Sequence, residues 1–194
     1  MIYLVRHGQT AFNLERRHQG HVDSPLTQRG REQARRAGIA LAALLDPPNT
    51  VVFSSPLGRA FQTARIVAEA TAVERPIIVD PDLMEIGMGS CEGITEAELA
   101  KRWPGSEIPL TGEGMSFLSP DGESLAALAE RLSRALRRVG DHGASSCIVV
   151  SHGITNRVMR ALYLGLSPTA AVGMDAPQDA LFQLHGGDIM RIPY

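Results

Sequence analysis

The sequence predicts an α/β fold, a single three-layer domain over 1–194 with a central, mainly parallel sheet flanked by helices. Three observations predict it. Short apolar runs alternate with amphipathic stretches of helical period along the chain. Three of those runs end alike, in polar or glycine residues that open directly into a helix. The length of 194 residues suits one domain at a prior of roughly 150 residues each, and no repeat, linker or low-complexity tract divides it.

The elements follow in order. Residues 2–5 form an apolar first strand. Residues 27–45 read as a helix, with Ala34, Ala37, Leu41, Leu44 and Leu45 at helical spacing and Arg31, Glu32, Arg35 and Arg36 on the wet side. Asp46-Pro47-Pro48-Asn49 stops it. Residues 50–53 make a second strand, after which Ser55 and Pro56 supply an N-cap and first-turn proline for a helix to about Ala70. Residues 77–79 are a third short strand, and residues 96–103 a short helix ending at Pro104. Residues 104–122 are rich in proline and glycine and lack periodicity, which predicts a lid or substrate loop. The clearest helix covers 123–139, with Leu125, Leu128, Leu132, Leu136 and Val139 on one stripe. A fourth strand at 147–150, a helix at 154–164 and a closing hairpin around Gly186-Gly187 complete the chain.

Composition narrows the function. Apolar residues make up 44% and charged residues 21%, which excludes disordered and fibrous classes. Lys+Arg 19 against Asp+Glu 21 leaves a net charge of −2, so there is no basic field for nucleic acid or membrane. All the basic residues but Lys101 are arginine, a skew that codon bias explains as readily as function. Two cysteines, Cys91 and Cys147, fit a reducing compartment, and the longest apolar stretch, 39–45, is far short of the roughly 20 residues that span a membrane. A cytoplasmic location is expected.

The three similar strand ends read Val5-Arg6-His7-Gly8, Phe53-Ser54-Ser55-Pro56-Leu57-Gly58-Arg59 and Val150-Ser151-His152-Gly153. Ligands of open α/β sheets bind beyond the carboxyl ends of strands. If these strands are parallel neighbours, Arg6, His7, Arg59 and His152 converge. Two guanidiniums and two imidazoles around helix N-termini suit a dianion such as phosphate. Taken singly, each residue is most often structural; the set is not.

The segment Leu4-Val5-Arg6-His7-Gly8-Gln9-Thr10 with Asn13 resembles the phosphohistidine signature of the histidine phosphatase superfamily, which includes the cofactor-dependent phosphoglycerate mutases. Further resemblances run along nearly the whole chain. They comprise Gln19-Gly20, Asp23-Ser24-Pro25-Leu26-Thr27 with Gly30, and Ser54-Ser55-Pro56-Leu57 with Arg59, Thr63 and Ala64. Leu83 and Glu85 with Gly89, Glu92 and Gly93, then Pro120-Asp121-Gly122-Glu123-Ser124 and Ser151-His152-Gly153, follow in the family's order.

The resemblance implies a phosphoglycerate mutase-like fold and a metal-independent phosphate monoester hydrolase that needs no cofactor. His7 is then the nucleophile, Arg6, Arg59 and His152 hold the phosphoryl oxygens, and Glu85 is general acid and base. A nearby phosphate anion or partial burial would keep that carboxyl partly protonated. Asp82 and Glu92 are the competing candidates for the acid. Asn13, Gln19, Gly20 and Gly153 are expected to contact substrate. Family members often carry aromatics where this chain has His21 and Cys91, which implies altered pocket walls. His18 and His21 are expected to be solvated loop histidines rather than a metal pair.

The implied partner is a small phosphorylated substrate, with no nucleic acid or membrane, and the chain is expected to be a monomer or homodimer. Other phosphate chemistries lack their motifs. There is no P-loop, no Cys followed six residues on by Arg, and no G-x-S-x-G elbow, while Asp80-Pro81-Asp82 lies mid-chain without the expected following residue. A mutase that returns the phosphoryl group is the enzymatic alternative, disfavoured because 94–122 is short and holds only Lys101 and Arg102 as basic residues. A non-catalytic phospho-ligand sensor is the other class.

Overall fold

The computed structural model describes residues 1–102 and 121–194, the side chain of Glu96 excepted. The sequence-predicted loop at 104–122 therefore lies outside the described residues except for Asp121 and Gly122, as does Trp103. Six strands form one sheet: β1 (Ile2–Arg6), β2 (Thr50–Ser54), β3 (Ile78–Val79), β4 (Ser146–Ser151), β5 (Ala180–His185) and β6 (Asp188–Pro193). Their spatial order is β3-β2-β4-β1-β5-β6. The first four are parallel, and β5 and β6 add an antiparallel edge. Val51, Val52 and Phe53 of β2 and Ile148, Val149 and Val150 of β4 form unbroken apolar runs because both strands are buried throughout, as strands covered on both faces must be.

The helices are α1 (Ala11–Leu14), α2 (Gln28–Ala42), α3 (Gly58–Ala70), α4 (Glu96–Arg102), α5 (Leu125–Gly140) and α6 (Gly153–Tyr163). Side chains alternate across each strand, so the sheet serves two cores. Leu4, Phe53 and Val149 face Leu128, Leu132 and Met159 of α5 and α6. Tyr3, Val52, Ile148 and Val150 face Ala37, Leu41, Ala60, Ala64 and Val67 of α2 and α3. Truncating a fully buried leucine such as Leu132 would cost about 2–5 kcal/mol. Among the described residues, no helix is long and apolar enough to cross a membrane.

Local chemistry sets most of the boundaries. Thr27 caps α2 by accepting from the Gly30 amide, and Ser124 caps α5 by accepting from Ala127. The start of α3 differs from the sequence expectation. Ser55 does not cap it; the helix begins three residues later, at Gly58, with Leu57 in the cap position and no side-chain bond from it. The capping is tertiary: Asp23 Oδ1 accepts from the Arg59 amide at 3.2 Å. The loop after β1 crosses the start of α2 so closely that a Cβ on Gly8 would lie 2.1 Å from the Gly30 carbonyl oxygen. Glycine is required there because the two backbones touch.

Candidate active site

Register brings the three strand ends together. Arg6 pairs with Ser151 and Ser54 with Val150, so the next residues of β1, β2 and β4 emerge side by side. The His7 amide donates to Ser151 O at 2.9 Å, and the Ser55 amide to Val150 O at 3.1 Å. The His7 and His152 rings are thereby set with centroids 5.2 Å apart. Beyond them opens a cleft of about 220 Å³ lined by Arg6, His7, Asn13, Gln19, Gly20, Arg59, Glu85 and Gly153. Every sequence-predicted site residue except His152 lines it, and His152 is fully buried behind His7.

His7 is presented as a neutral ring of defined tautomer. Its Nδ1 lies 2.8 Å from Gly8 O. A carbonyl only accepts, so the proton sits on Nδ1 and Nε2 keeps the lone pair. Burial, then the positive charges of Arg6 and Arg59, hold the imidazole well below the ordinary histidine pKa. His152 is held low in the same way, first by burial and then by Arg59, His7 and Arg6. Its Nε2 lies 2.8 Å from Ser55 Oγ, while Nδ1 is buried without a partner among the described residues. The hydroxyl expected to cap a helix therefore orients an imidazole instead.

The arginines are fixed by backbone carbonyls. Arg59, 1% exposed, donates through Nη2 to Gly20 O at 2.7 Å and through Nη1 to Val22 O at 2.9 Å. Asp23 lies 3.3 Å from Nη1. Gly20 is held at φ +51°, and a Cβ there would lie 2.2 Å from Glu92 Oε1, so glycine serves both the turn and the approach. Arg6 Nη1 donates to Ala176 O. The Nε atoms of both Arg6 and Arg59 are buried with no partner among the described residues. Asn13 Oδ1 accepts from the Thr10 amide and from Gln178 Nε2, and Gln19 Oε1 accepts from Thr10 Oγ1. Each amide thus keeps its NH₂ as the remaining donor of a residue that lines the cleft.

Glu85 is seated at the N-terminus of α6. Its Oε1 accepts from the Thr155 amide at 3.1 Å and Thr155 Oγ1 at 3.0 Å, and Oε2 from the Ile154 amide at 3.2 Å. The first-turn amides of α6 thus hold the carboxyl group in place. Its two sequence competitors are committed elsewhere. Asp82 pairs with Arg134 and Arg138, and Glu92 accepts from the His21, Val22 and Met88 amides. Glu85 alone of the three lines the cleft.

Two expectations about the walls are corrected. His21 and Cys91 do not line the cleft; Met88 does. His21 Nε2 lies 2.9 Å from Glu85 O, where it acts as a donor to the carbonyl, and Cys91 is buried at 6% exposure. His21, on the loop between α1 and α2, thus bonds to the turn that carries Glu85, and Cys91 follows that turn in the chain. Arg131 was missed from sequence. It donates to the carbonyls of Asp82, Met84 and Glu85 and forms a two-point pair with Glu123. Burial opposes ionisation of Glu123, but the Arg131 bonds and the Gly87 amide hold its pKa below the ordinary value. Arg157 was missed too, although it lies one helical turn after Gly153 and so shares its face.

A family model described as histidine phosphatase superfamily (branch 1) matches residues 2–186. The chain belongs to the histidine phosphatase superfamily. Within that superfamily it is similar to phosphoglycerate mutase-like protein 4 of Arabidopsis thaliana, at 37% identity over 171 residues, 87% of this chain and 72% of that protein. A probable phosphoglycerate mutase GpmB of Enterobacter sp. (strain 638) is 37% identical over 199 aligned positions, covering 100% of this chain and 84% of that one. Among solved structures, a mycobacterial glucosyl-3-phosphoglycerate phosphatase complexed with VO3 superposes with a TM-score of 0.78 at 26% identity, covering 99% of this chain and 96% of that chain. The α/β architecture read from the sequence is thus a histidine phosphatase superfamily fold.

Proposed function

We propose that the chain hydrolyses the phosphate ester of a small metabolite through a phosphohistidine on His7, with no metal or organic cofactor. One observation carries the reading. The neutral His7, its lone pair on Nε2, stands among three buried nitrogens without partners among the described residues: Arg6 Nε, Arg59 Nε and His152 Nδ1. Buried polar atoms left unbonded cost about 1–3 kcal/mol each, and a phosphoryl group supplies the acceptors that satisfy them.

In the proposed reaction, His7 Nε2 attacks phosphorus as the bond to the alcohol oxygen breaks. Glu85 gives its proton to that oxygen. Water then attacks the phosphohistidine, Glu85 takes the water's proton, and the phosphorus–nitrogen bond breaks to release orthophosphate and restore His7. Arg6, Arg59 and His152 stabilise the charge spread over the equatorial oxygens, the largest contribution in this kind of transfer. The Asn13 and Gln19 amides, with Gly20 and Gly153, bind the same group and its ester oxygen. The phosphatase and VO3 named for the mycobacterial structure are compatible with this site.

The relatives named as mutases favour a second reading, in which the alcohol takes the phosphoryl group back at another hydroxyl. Product analysis separates the two. With p-nitrophenyl phosphate, turnover is expected to be insensitive to EDTA, and rapid quench is expected to trap an acid-labile phosphoenzyme absent from His7→Ala. A strict metal requirement, or label retained in His7→Ala together with activity, would overturn the mechanism. An isomerised ester in place of orthophosphate would establish the mutase reading.

A further inference from the structure

We infer that Gln178 is a positioning residue of the phosphate site: through a single amide nitrogen it fixes the His7 carbonyl against the carboxamide of Asn13. The inference rests on the phosphohistidine reading and adds the side chain that holds the nucleophile and a phosphate donor in register. Gln178 Nε2 donates to His7 O at 3.1 Å and to Asn13 Oδ1 at 3.2 Å. Its two hydrogens meet two acceptors, so the nitrogen is fully used. Gln178 itself does not line the cleft, so it acts through these two partners.

The topology explains how a residue 171 positions away reaches the nucleophile. Strand β5 runs antiparallel to β1 with Leu4 opposite Phe182, so the residues before β5 lie beside those that follow β1. That segment is itself anchored. Arg6 donates to Ala176 O, and Arg160 to the carboxylate and carbonyl of Asp175. From the other side the Tyr194 amide donates to Asp179 O at 2.9 Å and its hydroxyl to Gln178 O at 3.3 Å. Burial, followed by Asp179, pushes the Tyr194 phenol up to about 12, so it stays a neutral donor.

The two groups that Gln178 joins depend on such a tie. Asn13 sits in α1, a single turn of four residues with none buried, too short to be stable through its own backbone bonds. Its Oδ1 has two lone pairs, one taken by the Thr10 amide at 3.1 Å and the other by Gln178. A half-turn of the carboxamide would set its NH₂ against two donors, so the NH₂ is kept for the cleft that Asn13 lines. The His7 peptide is gripped from both sides, its amide by Ser151 O of β4 at 2.9 Å and its carbonyl by Gln178. One nitrogen thereby sets the spacing between the attacking imidazole and the amide that receives the phosphoryl group. Such spacing matters, because a misplacement of about 1 Å can cost about 10²-fold in rate.

The test is a double-mutant cycle on kcat/KM for p-nitrophenyl phosphate. Gln178→Met removes both donated bonds at similar volume and is expected to lower kcat/KM about tenfold. In Asn13→Ala the same substitution should cost no more than about threefold, because the group it orients is gone. Gln178→Glu keeps the shape but offers only acceptors, and should lose at least as much as Gln178→Met. Equal factors in the two Asn13 backgrounds, or wild-type turnover in Gln178→Glu, would overturn the inference and leave Gln178 a structural tie. Should the wild type hydrolyse no ester, the phosphatase reading fails separately. The cycle is then read on the Kd of orthophosphate by titration calorimetry, with the same factors expected. Equal factors there, or no binding of orthophosphate by the wild type, would overturn the inference.

Discussion

At the inner end of the cleft His7 is 3% exposed, Arg59 1% and His152 0%; the His7 amide is held by Ser151 O and its ring by Gly8 O, Arg59 by Gly20 O and His152 by Ser55 Oγ. At the outer end Val172 is 41% exposed and Arg157 is held by no polar contact among the described residues. Each of these inner residues is anchored by at least one buried hydrogen bond, which fixes where its remaining nitrogens lie. Val172 faces water and can change without a burial penalty, and no bond fixes Arg157 among the described residues. A shared phosphoryl chemistry with a variable alcohol pocket is the expected result, because substitutions are tolerated at one end and not at the other.

The sharpest way to break this comparison is at Glu85, which belongs to the inner end but acts on the leaving group. Glu85→Gln keeps the shape of the seat on α6 and removes the transferable proton. For alkyl phosphates kcat is expected to fall about 10²–10⁴-fold. With p-nitrophenyl phosphate, whose alcohol leaves without a proton, the loss should be much smaller. Equal losses on the two esters, measured by steady-state turnover, would move the acid elsewhere.

A smaller effect is expected one layer out. Arg131→Met removes the donor to three carbonyls around Glu85 and leaves Glu123 unpaired; the pair's side chains are only 12% and 18% exposed. Stability should fall by about 3 kcal/mol, read from the urea midpoint. Alkyl phosphate turnover should fall more than that of p-nitrophenyl phosphate, because the residue acts through the acid. A loss of stability with identical losses on both esters would make Arg131 purely structural.

The smallest effect concerns pH. Burial keeps His7 and His152 neutral in the folded chain, whereas the unfolded chain protonates them below about pH 6.5. Below that value the unfolded state binds more protons, so their contribution to stability is full above about pH 6.5 and is lost as pH falls toward the folded pKa. Scanning calorimetry should show Tm declining between pH 7 and 5.5, with a shallower decline in His152→Gln. An undiminished slope would mean that other groups control it.

Much of the site was readable along the chain because its chemistry sits at strand ends. Leu4-Val5-Arg6-His7-Gly8 and Val149-Val150-Ser151-His152-Gly153 announce a strand, a polar side chain and a helix within a few residues. Local rules therefore place Arg6, His7 and His152 at the sheet's carboxyl edge. Ser55 misled for the same reason: Ser-Pro is a sound local cap signal, but a buried imidazole 97 residues away competes for its hydroxyl. Arg131 was invisible as a functional residue, since an arginine on an amphipathic helix looks like any solvated one until Glu123 and the Glu85 turn are packed against it.

By itself the sequence determined the alternation of strands and helices, the strand-end histidines and the arginines beside them, because these depend on hydrophobic period and residue type over short spans. Tertiary structure alone decided which carboxylate reaches the cleft. Asp82, Glu85 and Glu92 are near neighbours in sequence, but the Ile154 and Thr155 amides, some 70 residues away, seat only Glu85. It also decided that Arg157 has no hydrogen-bond partner among the described residues while Arg160, three residues on, takes Asp175. Such assignments depend on where distant backbone polar groups and countercharges come to rest, and no local pattern encodes that.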